Sequence, residues 1–393
     1  MGDACGPQGA TIIRRGPVEA GSSRTTCVEA AVGPAKELHI TVATFGAGPV
    51  EQQAAEAYSS IADILAQADA TVVRERVFAS SGAGDAVLAA RGRALGAGGP
   101  VTLVDGSSCW GEGLAGIQLH AVAGLDVSPV VVDGRLVGAS FELGDVRHVH
   151  LSDLRASPST GSPEEDAAAT FSLARRAMAA SGLCFSYVVR TWIYLADILD
   201  WYPAFNRVRT LCYAEDGLLG PNATAPVPAS TGIAARPCGG AWCTMDLVAA
   251  AEVGTGAPVR VERLHNPRQN EATSYGSAFS RGVAFRYGGL ESVHISGTAA
   301  IDESGRSVWL GRPSGQVKRT VGNIMTLLAM QGLALADVCS ATVFIKRAED
   351  EPLVREALGV LAPAVADGVF VQADVCRPEL LFEIDGVAVK AVG

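Results

Sequence analysis

The chain has 393 residues, of which 48% are hydrophobic and 18% charged, and its formal net charge is −10. That length points to two or three domains, and that apolar content supports a large core, so disorder is expected only near the ends. The negative balance speaks against non-specific binding to nucleic acid or to an anionic membrane, and an anionic ligand would need particular arginines to hold it against the overall field.

In chain order, residues 1–35 are rich in Gly, Ser and Thr and read as a flexible N-terminal arm. The opening MGDACGPQGATIIRRGP lacks an apolar core of signal-peptide length, and no later apolar run reaches the length of a membrane span. The nine cysteines include no CxxC pair, and Cys238 and Cys243, the nearest two, have no histidine at metal-ligand spacing. Reduced thiols in a cytoplasmic protein are the expectation.

Three times the chain runs a helix into a strand. AAEAYSSIADILAQADATVVRERVFAS (54–80) is the faintest instance. In SPEEDAAATFSLARRAMAASGLCFSYVVRTWIYLADI, Ser162 caps a helix, Pro163 takes its first position and Glu165 completes a capping box. Gly182 ends that helix, and 188–195 follow as a strand. In SGQVKRTVGNIMTLLAMQGLALADVCSATVFIKR, the residues Val317, Val321, Ile324 and Leu328 form one helical stripe, Gly332 stops it, and VCSATVFI is the strand. Each pair leads to a further helical stretch and more strand-like runs, the last being GIQLHAVAG (116–124), CTMDLVAAA (243–251) and LFEIDGVAV (381–389). The repeat predicts an α+β chain of tandem units: a degenerate one over 36–127, a second over 128–255, a connector over 256–269 and a third over 270–393.

In the last run, period-two alternation turns Phe382, Ile384 and Ala388 one way and Glu383, Asp385, Val387 and Val389 the other. Aligned on the trailing Val-Ala, Glu383 falls opposite Thr244 and Gln118, and Asp385 opposite Asp246 and His120. A carboxylate that only solvates a strand could stand in any copy, yet only the third has Glu here. Glu383 is therefore a candidate acid–base group, with a solvated strand face as the alternative. Asp385, matched in the second copy, reads as a structural hydrogen-bonding residue. His148 and His150 alternate on a strand with no third ligand nearby in sequence, which speaks against a metal site. GSAFSRG does not have the glycines of GxGxxG.

YGSAF (275–279), HISGTAAID (294–302), the third helix–strand block and RPELLFEIDGVAV (377–389) resemble the RidA/YjgF family. The second unit resembles it through VVRTWIYLADILDWYPAFNRV and the Pro-Ala-Ser-Thr of 228–231. This resemblance implies a mixed sheet packed by two helices in each unit, ligand clefts between neighbouring units, and a pseudo-trimer-like body within one chain. WIYLADILDWYPAFNRVRT, PASTGI, SYGSAFSRG and ISGTAAID, over most of 180–390, are more specifically similar to the chorismatases. That family removes pyruvate from chorismate without metal or organic cofactor. Its terminal-strand glutamate matches Glu383, and its 3-hydroxybenzoate-forming subgroup has a glycine matching Gly289 in RYGGL and a cysteine matching Cys376 in DVCRP.

The resemblance implies protonation of the enolpyruvyl methylene, which a glutamic acid in a dry cleft can perform because desolvation keeps its proton on. Glu383 takes that role, directly or through a water. Gly289 would leave room for the ring, and Cys376 would orient it or assist proton movement without acting as a nucleophile; a plain buried thiol is the alternative. Guanidinium forks suit the two carboxylates, with Arg355 and Arg209 the first choices, Asn206 beside the latter, and Arg190 and Arg377 weaker ones; a surface ion pair is the alternative for each. Tyr275 and the Ser296-Gly297-Thr298 turn would supply hydroxyl and backbone donors, or be a structural turn.

The expected function is conversion of chorismate to 3-hydroxybenzoate and pyruvate. The alternatives are a hydrolytic chorismatase giving 3,4-dihydroxycyclohexa-1,5-diene carboxylate, an RidA-like imine hydrolase, and a non-catalytic small-molecule binding module. No cofactor, nucleic acid or membrane partner is expected, and the chain would be a monomer or a homo-oligomer.

Overall fold

The computed structural model describes residues 9–46, 48–96, 98–157, 159, 161–223, 225–255 and 259–392. The first segment contains β1 (Thr11–Ala20), β2 (Ser23–Val32), β3 (Ala35–Thr44), α1 (Val50–Ala68), β4 (Ala70–Ala79), α2 (Gly84–Leu95), β5 (Val101–Asp105) and β6 (Leu114–Ala123). The second has β7 (Ser128–Val132), β8 (Arg135–Leu143), β9 (Val146–Leu154), α3 (Pro163–Ala180), β10 (Val188–Leu195), α4 (Ile198–Glu215), β11 (Ala229–Ala234), β12 (Arg236–Pro237) and β13 (Cys243–Glu252). The third has β14 (Glu262–Leu264), β15 (Gly282–Tyr287), β16 (Leu290–Ala299), α5 (Pro313–Ala329), β17 (Val338–Ile345), α6 (Glu351–Leu361), α7 (Pro363–Ala366), β18 (Val369–Gln372) and β19 (Phe382–Ala391).

The three sheets share one strand order. It runs β1-β2-β3-β6-β4-β5 in the first, β7-β8-β9-β13-β10-β11 in the second and β14-β15-β16-β19-β17-β18 in the third, with β12 added to the edge of the first. In each, one pair is parallel: β4 with β5, β10 with β11, and β17 with β18. The same bulge recurs as well, between Val72 and Arg74, Val188 and Arg190, and Val338 and Ser340. Four residues beyond the bulge, Gly116 lies opposite Phe78, Thr244 opposite Tyr194 and Glu383 opposite Phe344; two residues beyond it, Gln118 lies opposite Arg76, Asp246 opposite Trp192 and Asp385 opposite Thr342. The alignment on the trailing Val-Ala therefore holds between the second and third copies and is corrected in the first, where the bulge makes Gly116 the equivalent of Thr244 and Glu383, and Gln118 the equivalent of Asp246 and Asp385.

Each sheet is covered on one face by its own helices. In the second segment Phe171, Ala174 and Met178 of α3 pack with Ile193 and Met245; in the third, Val317, Val321, Ile324 and Leu328 pack with Val343 and Ile384. Helix α3 starts as its sequence dictates, with the Glu165 amide donating to Ser162 Oγ at 3.3 Å and Pro163 in the first turn. The opposite faces of all three sheets meet in a shared core that includes Phe78, Val104, Trp192, Val248, Phe285, Val387 and Val389. Around it the contacts are cyclic: β4 and β5 lie on β8 and β9, β11 on β15 and β16, and β17 and β18 on β3 and β6. The result is an α+β pseudo-trimer in one chain.

The expected loose arm is corrected from residue 11 onward. Strand β2 pairs with β3 along its length, and β1 pairs with β2, joined by Gly21 at φ +57°. Composition misled here because Thr and Val favour strands as strongly as Ser and Gly favour loops. Residues 256–258 of the connector lie outside the described residues, and Glu262–Leu264 forms the edge strand β14. Among the described residues no helix is long and apolar enough to cross a membrane, and the eight described cysteines are free thiols.

Candidate active site

A cleft of about 750 Å³ opens where the second segment meets the third. One wall is a face of α4, which presents Tyr202, Asn206, Arg207 and Thr210 along successive turns. Ser230 and Gly232 come from β11; Ser277, Phe279 and Arg281 come from the segment entering β15; Gly297, Cys376, Arg377 and Glu383 close the floor. Hydrogen bonds fasten the border: the Ser230 amide donates to Ser296 Oγ at 2.9 Å, and Ser296 Oγ donates to the Ser280 carbonyl at 2.5 Å.

Glu383 lies on that floor with 4% of its surface exposed. Burial pushes its carboxyl up to about 8; Asp385 adds to the rise, while Arg281 and Arg190 oppose it. The carboxyl is protonated at neutral pH and able to give that proton away. Room for it is made by Gly297, which sits in a bulge between Ile295 and Thr298. A Cβ on Gly297 would overlap Oε1 and lie 3.0 Å from the Glu383 carboxyl carbon.

Asp385, two residues on and on the same face, turns away from the cleft. Its Oδ2 accepts from Thr231 Oγ1 at 2.8 Å and from Arg190 Nη2 at 3.3 Å, and Arg190 Nη2 also donates to Thr231 Oγ1 at 2.6 Å. The structural role read for Asp385 is what these bonds describe, and they tie β19 to β10 and β11. Neither residue belongs to a wet strand.

At the position of Glu383 the other two segments have Thr244 and Gly116, and at the position of Asp385 they have Asp246 and Gln118. Gln118 accepts from Arg76 Nη2 at 2.7 Å and donates to the Ala341 carbonyl at 2.8 Å. Thr244 Oγ1 donates to Asp153 Oδ1 at 3.3 Å, and Asp153 in turn pairs with Arg135 and Arg155. Of the three equivalent positions only that of Glu383 carries a carboxyl.

The charged groups lining this cleft are Glu383 and the guanidiniums of Arg207, Arg209, Arg281 and Arg377. In a chain of net charge −10 this is a local reversal of sign. Arg209 is buried, donates to Asn206 Oδ1 at 2.6 Å and lies 5.5 Å from the centre of the Phe279 ring. Arg281 donates through Nε to the Asn270 carbonyl at 3.0 Å. Arg377 donates to the Gly305 carbonyl at 2.9 Å. Cys376 is half-buried; burial, and then Glu383, push its thiol up to about 12, so it is a thiol and not a thiolate nucleophile.

Comparison with known proteins adds to this geometry. Residues 276–390 match the family model described as Endoribonuclease L-PSP. A 3-hydroxybenzoate synthase of Streptomyces hygroscopicus is 27% identical over 226 residues, covering 52% of this chain and 64% of the relative. A chorismatase of the same organism is also 27% identical over 226 residues, covering 52% of this chain and 62% of the relative. The chain is similar to these proteins over about half of its length. The match spans less than two thirds of either curated relative. A crystal structure of a chorismatase shares the fold, with TM-score 0.62 and 22% identity over 81% of this chain and 93% of that one.

Of the residues expected at the site, the structure brings together Glu383, Cys376, Arg209, Asn206 and Arg377. Other expected residues stand elsewhere. Arg355 on α6 faces the border with the first segment, its guanidinium 3.8 Å above the Phe370 ring and 4.9 Å from Phe45, and it pairs with Glu351. The cyclic arrangement turns α6 toward the first segment, as it turns α4 toward the third. Gly288 and Gly289 form the two-residue turn between β15 and β16 at φ +52° and +79°, and Ala10 is the nearest side chain to a Cβ on Gly289. Its glycine answers to backbone conformation and not to substrate space. Arg190 is wholly buried behind the floor. Ser296 and Thr298 bond within the protein and hold the bulge, with Thr298 Oγ1 donating to the Ser296 carbonyl at 2.8 Å. Tyr275 ends the short helix Ala272–Tyr275, and its side chain lies outside the described residues.

Arg281, Phe279, Ser230 and Arg207 are cleft residues that sequence reasoning did not single out. Arg281 had a signal, since it ends the SYGSAFSRG block that carries the chorismatase likeness. His148 and His150 gain close neighbours from other strands, but among the described residues no group of His, Cys, Asp and Glu is arranged to hold a metal ion.

Proposed function

We propose that this chain removes pyruvate from chorismate, with the Glu383 carboxyl giving its proton to the enolpyruvyl methylene. The observation that carries the reading is a neutral carboxyl, held up to about 8, on the floor of a cleft whose other charged lining groups are all guanidiniums. Such a cleft suits a dianion that must be protonated at carbon. Arg209, Arg281 and Arg377 bind the two carboxylates, and Phe279 and Ile301 cover the ring. Protonation leaves a cationic centre at the enol carbon, adjacent to oxygen. In the product reading we favour, the ring hydroxyl displaces the side chain, and 3-hydroxybenzoate and pyruvate result. Cys376 beside Glu383 supports this reading by offering a weakly polar wall that does not compete as a nucleophile. The curated relatives carry the names 3-hydroxybenzoate synthase and chorismatase, at equal identity.

The test is to incubate the purified protein with chorismate and resolve the products by chromatography and mass. 3-Hydroxybenzoate with equimolar pyruvate supports the whole reading. The diene diol with pyruvate keeps the chorismatase activity and replaces the product. Intact chorismate overturns both. Glu383→Gln, which preserves the shape of the side chain, should retain the fold and lose turnover; undiminished pyruvate release would sink the general-acid role.

A further inference from the structure

The two most deeply buried guanidiniums of the cleft come from opposite sides of its border. Arg209 stands on α4 of the second segment and is 1% exposed, while Arg281 lies just before β15 in the third and is 2% exposed. Both nevertheless form part of the cleft wall. Like charges repel, and burial raises the cost of each. Their spacing therefore has to be held by other contacts until an anion arrives.

One ring touches both. The Arg209 guanidinium lies 5.5 Å from the centre of the Phe279 ring, and that of Arg281 lies 5.3 Å from the same centre. These are cation–π distances, and such attraction is strongest where water is excluded. Arg209 also lies 5.3 Å from the Phe205 ring, one turn earlier on α4, and Phe205 stacks on Tyr202 with ring centres 6.0 Å apart. A row of ring and guanidinium contacts thus crosses the border from Tyr202 through Phe205, Arg209 and Phe279 to Arg281.

The backbone fixes Phe279 on this border. Beside it, the Ser280 amide donates to the Pro228 carbonyl at 3.0 Å, and Ser280 Oγ donates to the Val227 carbonyl at 2.6 Å. A ring of the third segment is thereby pinned to the second. Arg209 has little polar support of its own. It donates to Asn206 Oδ1 at 2.6 Å, its Nε is buried with no hydrogen-bond partner, and among the described residues no carboxylate pairs with it.

We propose that Phe279 is a positioning residue that sets the spacing of Arg209 and Arg281, so that the cleft selects ligands with two carboxylates over ligands with one. The inference rests on the cleft receiving a dianion, as in the proposed function, and assigns the discrimination to the ring that both guanidiniums share. Cations held in place beforehand spend less on ordering when the ligand binds.

Isophthalate, a dianion, and benzoate, its monoanionic counterpart, test this without turnover, since neither carries an enolpyruvyl group. By titration calorimetry the natural chain should bind isophthalate about 10-fold more tightly than benzoate or better, the worth of a second charge-assisted contact. Phe279→Leu should reduce that preference to about twofold, and Phe279→Tyr, which keeps the ring, should preserve it. Loss of apolar cover alone would weaken both ligands equally; an unchanged ratio overturns the proposal, as does a natural chain with no preference for the dianion. With chorismate, Phe279→Leu should raise KM by a larger factor than it lowers kcat. If chorismate is not turned over, the proposed reaction falls while the isophthalate ratio still decides this inference. If Phe279→Leu does not fold, crystals of the natural chain with isophthalate decide: one carboxylate on each guanidinium supports the proposal, and any other placement overturns it.

Discussion

Gly297, in the bulge of β16, lies so close to the Glu383 side chain on β19 that a Cβ there would overlap the carboxyl. The bulge that contains Gly297 sets where the carboxyl of Glu383 points. Gly297→Ala should therefore displace the acid while leaving the sheet intact. We expect kcat on chorismate to fall about 100-fold, because displacements near 1 Å at a reacting group cost that much. Unchanged kcat in a protein with normal circular dichroism would remove Gly297 from the positioning of the acid.

Asp385 is one reason the Glu383 carboxyl stands so high. Asp385→Asn removes the like charge and leaves Arg190 without its carboxylate, and both changes favour ionised Glu383. The basic limb of the pH–rate profile should move to lower pH. A limb that stays in place or moves to higher pH would contradict the coupling. Stability gives a second readout. Glu383 rises from the ordinary 4.5 to about 8, so its contribution is complete below the unfolded value and is lost as pH climbs through 8. Glu383→Gln should accordingly melt higher relative to the natural chain at pH 9 than at pH 5, with about 1.4 kcal/mol at stake for each unit of displacement.

The arginines separate into two groups. Arg281 lines the cleft, and replacing it by Met should raise KM for chorismate about 10- to 100-fold, the worth of one charge-assisted hydrogen bond. Arg355 faces another border, on Phe370 and Phe45. Arg355→Met should leave kcat/KM within about twofold and lower the melting temperature instead. Steady-state kinetics on both variants decide between this assignment and the one suggested by sequence.

Gly289 and Cys376 should part company in the same way. Gly289→Ala strains a turn residue at φ +79° and should cost about 1–2 kcal/mol of stability without altering the product. Cys376→Ala enlarges the cleft beside Glu383 and should shift product from 3-hydroxybenzoate toward the water-derived diene diol, read as a peak ratio by chromatography. A product shift from Gly289→Ala with none from Cys376→Ala would reverse the roles.

Local pattern determined much of this protein. The strands β10 and β17 occupy the residues that alternation and β-branching predict, 188–195 and 338–345, and α3 begins at its Ser-Pro cap. The period-two reading of the last strand separates Phe382, Ile384 and Ala388, under the helices, from Val387 and Val389, in the shared core. These features arise from neighbours a few residues apart, and such interactions are written in order along the chain. The cleft arises from neighbours far apart. That Arg281 and Arg209 converge on Glu383, that α6 turns Arg355 to another border, and that five histidines share one chamber depend on the cyclic packing of three sheets. Strand pattern gives a face its polarity; only the closing of the sheets on one another decides which face it meets.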